Sequence, residues 1–267
     1  MSPGRTLSVA GLWGAILTLV ILAMSVLLRL GTEVGAGEAV STLPAGVEQW
    51  ARIAHRVAAM GVGILVALAL VATWRERPVP RAQSAAVACV VGLTLLLSVI
   101  GRHTPGYRLD VVTVANVLGG IALASAFWWL RAASGPARAG GDRVALAALG
   151  VLVALAALGA AADAAAMRGE RAFEPLHLWL AALFVVLAGA AAWRGRARRA
   201  TAAALGVLVA VQFAIGLALI GAPGARPIAP AWAHAMVACV LALLLVGLAA
   251  PPRGNSISEV GPGPGPA

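Results

Sequence analysis

The chain has 267 residues, of which 61% are hydrophobic and only 11% are charged, and its mean hydropathy is +0.93. Soluble domains carry about 25% charged residues, so this composition excludes an ordinary soluble enzyme, a disulfide scaffold and a disordered chain. The net charge is +10, and every basic residue is an arginine that lies between apolar runs rather than in one patch. This distribution favours a membrane protein over one that binds nucleic acid.

Eight apolar runs are candidates for membrane-spanning helices. A helix that crosses about 30 Å of hydrocarbon needs about 20 mostly apolar residues, and lipid offers its backbone no other hydrogen-bond partners. The sequence therefore predicts an all-α integral membrane protein with eight transmembrane helices. In chain order the predicted spans are 7–28, 55–74, 84–100, 111–130, 144–162, 177–193, 201–220 and 230–250.

The arginines between these runs predict the orientation of the chain. Loops on the side of both termini hold twelve arginines, whereas loops on the other side hold eight, nearly balanced by seven acidic residues. The positive-inside rule assigns the side richer in arginine to the cytoplasm. We therefore expect a bacterial-type inner (cell) membrane protein with both termini cytoplasmic. The segment 251–267, rich in Gly and Pro, is expected to be disordered.

An internal repeat divides the predicted helices into two halves. The turn Pro105-Gly106-Tyr107-Arg108 recurs 118 residues later as Pro223-Gly224-Ala225-Arg226, and two runs open with a His (His55 and His177) seven residues after a Glu (Glu48 and Glu170). This pattern predicts two pseudo-repeated four-helix bundles, an N-terminal half over 1–133 and a C-terminal half over 134–250. Alternating-access transporters can share such symmetry, so the repeat alone leaves a transporter as one interpretation.

All four histidines lie at the outer ends of the runs or in the outer loops, at His55, His103, His177 and His234. Ionisable side chains at membrane depth are candidates for function, although a single interfacial His can also simply be solvated. His177 and His234 open alternate helices of one four-helix half, where two imidazoles at one depth could ligate a haem iron. Zinc is the weaker alternative, because no Cys, Asp or Glu in helical register completes a tetrahedral set.

Several outer arginines lie close in sequence to these histidines or to the repeated turns, namely Arg56, Arg102, Arg108 and Arg226. Arginines in this position could bind haem propionates through charge-assisted hydrogen bonds. They could also extend outward to the interface or bind an acidic partner. Cys89 and Cys239 fall in the middle of their runs, and we interpret both as small core residues.

At this point the sequence resembles the haem A synthase family of cytochrome oxidase assembly, over about residues 28–248. The resemblance rests on the two four-helix halves, on Ala54-His55-Arg56, and on the run from Val112 to Gly120 that includes Asn116. It rests also on the segment 208–216, which contains Gln212, and on His177 and His234. Members of this family oxidise a methyl group of haem O to a formyl group, which yields haem A.

The resemblance implies roles for particular residues. His177 and His234 would be axial ligands of a resident haem b, and His55 would face the iron of the substrate haem O. Arg56, Arg108, Arg226 and Asn116 would contact the cofactor, and Glu48 joins His55 as a catalytic candidate. Implied partners are membrane lipid, haem O, a haem O synthase and cytochrome oxidase subunits, with no nucleic acid.

Three features of the chain depart from the family pattern. Asn116 stands where the family has a His on the fourth helix, and Arg52 stands where it usually has a Glu three residues before the helix-two His. The stretch 31–48 lacks the Cys pair that some members carry. The leading expectation is an oxidoreductase of haem A biosynthesis. The alternative is a non-catalytic haem-binding factor for cytochrome oxidase assembly, which Asn116 and Arg52 favour.

Overall fold

The computed structural model describes residues 3–35, 38–75, 79–103, 111–135, 141–166, 174–195, 199–220 and 227–250. Over these residues the chain forms eight α-helices and one short β-hairpin. The helices are α1 (Pro3–Leu30), α2 (Ala45–Arg75), α3 (Arg81–His103), α4 (Val111–Ser134), α5 (Arg143–Ala166), α6 (Glu174–Arg194), α7 (Arg199–Ile220) and α8 (Ile228–Ala249). The expected disordered segment 251–267 lies outside the described residues.

Seven of these helices are long and apolar enough to cross a membrane. The exception is α5, whose apolar stretch Arg143–Gly159 falls short of that length over the described part. Apart from the hairpin, the prediction of an all-helical architecture is confirmed for the described residues. The helices are those of a multi-pass membrane protein.

Side-chain burial is inverted relative to a soluble protein, and α2 shows this most clearly. Its buried positions are mostly small, and its outer face carries large apolar side chains. The buried positions are Ala51, Ala58, Val62, Ala69 and Ala72, and the exposed ones include Val57, Met60, Ile64, Leu68 and Val71. Small residues let helices approach closely where lipid, rather than water, surrounds the protein. The outer face of α2, which carries the large apolar side chains, is therefore suited to contact lipid acyl chains.

The helices contact one another in two closed rings. In the first ring α1 packs against α2 and α4, and α3 packs against α4 and α2. In the second ring α5 packs against α6 and α8, and α7 packs against α8 and α6. The rings meet where α8 contacts α1 and α4, and where α4 contacts α5. The central helices are thus α1, α4, α5 and α8, and the other four lie at the periphery.

Close packing of α1 against α4 depends on two glycines. A Cβ atom on Gly11 would lie 2.6 Å from the backbone nitrogen of Arg131 and 2.7 Å from the carbonyl oxygen of Phe127. A Cβ atom on Gly14 would overlap the ring of Phe127, which is itself fully buried. Only a residue without a side chain allows the two backbones this approach.

Asp142 determines where α5 begins. Its carboxylate oxygen Oδ1 accepts a hydrogen bond from the backbone N–H of Val144 at 2.9 Å, as an N-cap residue does. The same oxygen accepts from Nε of Arg194 at 3.2 Å, and the backbone N–H of Asp142 donates to the carbonyl of Leu248 at 3.2 Å. One residue therefore joins the start of α5 to the ends of α6 and α8.

The largest departure from the predicted boundaries is at α2, which begins at Ala45 rather than at residue 55. The carbonyl of Pro44 accepts hydrogen bonds from the backbone of Val47 and Glu48, which starts the helix before the apolar run. Before it, β1 (Thr32–Gly35) pairs antiparallel with β2 (Glu38–Ser41), a hairpin that the sequence pattern did not indicate. Hydropathy detects only the part of a helix that lies in lipid.

The two cysteines differ in their surroundings. Cys239 is buried, as expected for a small core residue. The same interpretation of Cys89 is wrong, because Cys89 is exposed on α3. A position in the middle of an apolar run gives depth but not the direction in which a side chain points.

Candidate functional site

In the N-terminal half, His55 is held against α1. Its ring atom Nδ1 lies 3.1 Å from the hydroxyl oxygen of Ser25, and the backbone of Ile21 also hydrogen-bonds to the ring. The side chain is half-buried. Histidines that ligate metals usually have one ring nitrogen engaged by such a partner, which orients the other. The contacts with Ser25 and Ile21 therefore orient the ring of His55 against α1.

Glu48, the other catalytic candidate, is engaged by its own helix. Arg52 donates to its carboxylate from Nε at 2.9 Å and from a terminal nitrogen at 2.6 Å, and Ser41 forms a further hydrogen bond with it. The structure thus brings Glu48 together with Arg52 and Ser41. Arg56 follows His55 on α2, and its side chain is exposed.

The remaining predicted residues of the N-terminal half are only partly described. Asn116 lies in the second turn of α4 and is half-buried. His103 is the last residue of α3, and its side chain lies outside the described part of the chain. Arg108 and Arg226, expected to contact the cofactor, also fall outside the described residues.

In the C-terminal half, His177 lies in the first turn of α6 and faces α5. A Cβ atom on Gly159 would lie 3.6 Å from Cε1 of the His177 ring. The Nδ1 atom of this ring is buried, and the residue as a whole is half-buried. The imidazole therefore lies beside α5, at a distance where a methyl group at position 159 would make ordinary van der Waals contact.

His234, in the second turn of α8, faces α7. Its Nε2 atom lies 3.1 Å from Nε2 of Gln212. One turn further along α7, a Cβ atom on Gly216 would lie 3.3 Å from Cε1 of the same ring and 3.8 Å from Nδ1. Gln212 and Gly216 lie four residues apart on one face of α7, so both contact the same imidazole ring.

The sequence pattern places Gln212 within the segment 208–216 but does not indicate its contact with His234. A signal was present, because Gln212 is the only amide side chain of α7, in an otherwise apolar stretch. A polar side chain at membrane depth is costly and normally faces a partner inside the bundle. Which partner it faces depends on the packing of α7 against α8.

The topology places His177 and His234 at one end of the C-terminal half. Both α6 and α8 begin at this end, α5 and α7 finish there, and α6 also contacts α8. At the same end, the indole Nε1 of Trp232 donates to the carbonyl of Ala23 at 2.9 Å. This bond joins α8 to α1, close in sequence to both His234 and Ser25.

Over the described residues, no group of three or more His, Cys, Asp or Glu side chains could hold a metal ion. A haem iron already has four porphyrin nitrogens and needs at most two axial ligands from the protein. Two imidazoles in the C-terminal half, and one in the N-terminal half, fit that requirement.

No protein-family model matches the chain, and no curated protein matches it. The functional assignment therefore depends on the residues and geometry of the site.

Proposed function

We propose that this protein is a membrane haem oxidoreductase of the haem A synthase type, which converts a methyl group of haem O to a formyl group. The observation that carries the proposal is the pair of imidazoles, His177 and His234, at one end of one helical ring. Each lies against a glycine of a neighbouring helix, Gly159 and Gly216 respectively. Two imidazoles at the same end of one group of helices are a suitable ligand set for a low-spin haem.

The packing of the helices supports two pseudo-repeated halves. The contacts of α1 with α2 and α4 correspond to those of α5 with α6 and α8, and α3 corresponds to α7. In both halves the His on the second helix faces the first helix, since His55 contacts Ser25 and His177 lies beside Gly159. On this basis each half provides one haem site.

In the proposed arrangement His177 and His234 would hold a resident haem b, and His55 would bind the substrate haem O. Bound haem supplies the redox chemistry, and the protein supplies position and charge. Ser25 orients the His55 ring through Nδ1. Arg56, Arg108 and Arg226 are the proposed partners of the propionates, and Asn116 the proposed polar neighbour of haem O.

A second candidate is a haem-binding assembly factor for cytochrome oxidase that performs no oxidation. Two observations favour it. Asn116 is a poor iron ligand where the family has a His, and the carboxylate of Glu48 is held by Arg52 rather than left to act as a base. A protein that only stores or delivers haem needs neither group.

The proposed setting follows from the arginine distribution. The protein would lie in a bacterial-type inner membrane with both termini cytoplasmic, and both haem sites would lie toward the outer face. Membrane lipid, haem O, a haem O synthase and cytochrome oxidase subunits are its proposed partners.

Co-expression with a haem O synthase, in a host that makes no haem A, separates the two candidates. Chromatography of the extracted haems should show haem A if the protein is the enzyme. If the purified protein holds haem but no haem A is found, the enzyme is rejected and the haem-binding assembly factor is supported. A purified protein with no haem at all would exclude both.

The ligands are tested by substitution. His177→Ala and His234→Ala should each abolish the low-spin b-type spectrum of the purified protein, because each removes an axial ligand. His103→Ala is the matched control, and it should leave that spectrum unchanged. A low-spin spectrum that survives either of the first two changes would mean that other residues bind the iron.

A further inference from the structure

Arg194, the last residue of α6, is anchored by the start of α5. Its Nε donates to Oδ1 of Asp142 at 3.2 Å. Asp142 is itself fixed, because the same oxygen accepts from the backbone N–H of Val144 and the Asp142 backbone N–H donates to the carbonyl of Leu248. One edge of the Arg194 guanidinium is therefore tied to a carboxylate that α5 and α8 hold in place.

The other edge of this guanidinium can bind a further anion. A guanidinium has five N–H donors, and the bond to Asp142 uses the one on Nε. The Arg194 side chain is 61% exposed, so the donors on its two terminal nitrogens can face a ligand from the surroundings. Two parallel N–H donors are the geometry with which arginine binds a phosphate group.

The contact with Asp142 does more for the orientation of Arg194 than for stability. Exposed ion pairs contribute little to the free energy of unfolding, and the cap of α5 needs only the carboxylate of Asp142. The contact does restrict the rotamers of a long side chain. Less conformational entropy is then lost when the guanidinium binds an anion, so Arg194 is preorganised for that purpose.

The surroundings of Arg194 match a phospholipid. Trp193 is 71% exposed, and a tryptophan at the end of a spanning helix lies at the level of the lipid headgroups. Arg199, which begins α7 after a short turn, is exposed as well. Further along the two helices, Val186 of α6 and Val207 of α7 are exposed apolar side chains. Positive charge at headgroup level beside an apolar surface is complementary to an acidic phospholipid.

We propose that Arg194 and Arg199 form the preferred binding site for the phosphate of an acidic phospholipid, and that Asp142 is the positioning residue that orients Arg194. The acyl chains of the lipid lie along the apolar outer faces of α6 and α7. This site is at the opposite end of α6 from His177, so it does not depend on the proposed function.

The N-terminal half provides a matched control. Arg75 ends α2 as Arg194 ends α6, and a tryptophan precedes each of them. Arg81 begins α3 118 residues before Arg199 begins α7. Within the described part of the chain, no acidic side chain forms an ion pair with Arg75. Arg75→Gln therefore removes the same charge from an equivalent helix end that lacks the anchoring carboxylate.

Lipid titration tests the site. The protein is purified in a neutral detergent and titrated with phosphatidylglycerol, and native mass spectrometry gives the Kd of the first bound lipid. Phosphatidylcholine, which has no net charge, is titrated in parallel and should bind more weakly. Arg194→Gln should raise the Kd for phosphatidylglycerol about fivefold. Arg194→Lys keeps the charge but loses the paired donors, and it should raise the Kd severalfold. Arg75→Gln should leave the Kd unchanged.

Asp142→Ser distinguishes orientation from net charge. Serine still caps a helix, but the change removes the carboxylate that holds Arg194 and makes the site more positive. If Asp142 orients Arg194, the Kd for phosphatidylglycerol should rise severalfold despite the gain in positive charge. An unchanged or lower Kd would overturn the role of Asp142.

Three other results would overturn the proposal. An unchanged Kd in Arg194→Gln, or an equal rise in Arg75→Gln, would show that the first lipid does not bind specifically at Arg194. Equal affinities of the wild type for the two lipids would reject an acidic phospholipid. Inorganic phosphate in molar excess should not displace phosphatidylglycerol, and displacement would assign the site to a soluble anion instead.

Discussion

At the scale of single residues, the contact between Ser25 and His55 is the most direct determinant of side-chain orientation in the N-terminal half. Ser25→Ala should lower the free energy of unfolding by about 1 kcal/mol, because a half-buried hydrogen bond is lost. Ser25→Thr keeps a hydroxyl and should cost less. Unfolding in mixed detergent micelles measures both.

A double-mutant cycle shows whether that cost belongs to the contact itself. If Ser25 acts through His55, Ser25→Ala should have little further effect in a His55→Ala background, which gives a coupling of about 1 kcal/mol. Strictly additive effects of the two changes would contradict the role assigned to Ser25.

The sequence predicted which residues belong to the candidate site better than it predicted which residues they contact. His55, His177 and His234 could be selected from the sequence because ionisable groups are rare in apolar runs. Their partners Ser25, Gly159 and Gln212 could not, since each lies on a different helix and comes close only through packing. Glu48 is the contrasting case, because its partner Arg52 lies four residues further along the same helix and could be predicted from the spacing in the sequence.

At the scale of helices, the approach of α1 to α4 depends on Gly11. Gly11→Ala should lower the free energy of unfolding by about 1–3 kcal/mol, since its Cβ would meet the α4 backbone, which cannot move aside as a side chain can. Gly63→Ala on α2 is the control, because nothing lies within 4 Å of its Cβ position. Unfolding in detergent measures both, and equal losses would contradict the close packing.

The start of α5 provides a second prediction at this scale. Asp142→Ala removes both the N-cap and the ion pair with Arg194, and it should cost about 1 kcal/mol. Asp142→Asn keeps the cap and loses the charge. It should cost less than about 0.5 kcal/mol, because the Arg194 side chain is 61% exposed and exposed ion pairs contribute little. Thermal unfolding that showed equal losses for both variants would assign the stability to the ion pair instead.

At the scale of the whole molecule, the number of crossings determines the sides of the membrane on which the termini lie. Seven of the described helices are long and apolar enough to cross a membrane, and the apolar stretch of α5 is shorter. If α5 also crosses, the number is even and both termini lie on the same side. Fusions of green fluorescent protein, which fluoresces only in the cytoplasm, should then be bright at both ends. Alkaline phosphatase fusions, active only outside, should be inactive at both. Opposite results at the two termini would show that α5 does not cross.

The sequence by itself determined the class of the molecule and the eight helices that the described residues form. These properties follow from hydropathy and chain order, because each helix satisfies its own backbone whatever its neighbours are. The start of α2 was predicted ten residues too late, since hydropathy does not register the polar turns before the apolar run.

Only the tertiary structure decided which side chains meet. The contacts of His55 with α1, of His234 with Gln212, and of Trp232 with Ala23 all join residues on different helices. The exposed position of Cys89 likewise depends on which face of α3 turns inward. The physical reason is that an apolar helix in lipid has no strong preference for one face. Its rotation is determined by close packing at small residues such as Gly11 and Gly216, and a linear pattern of hydropathy does not contain that information.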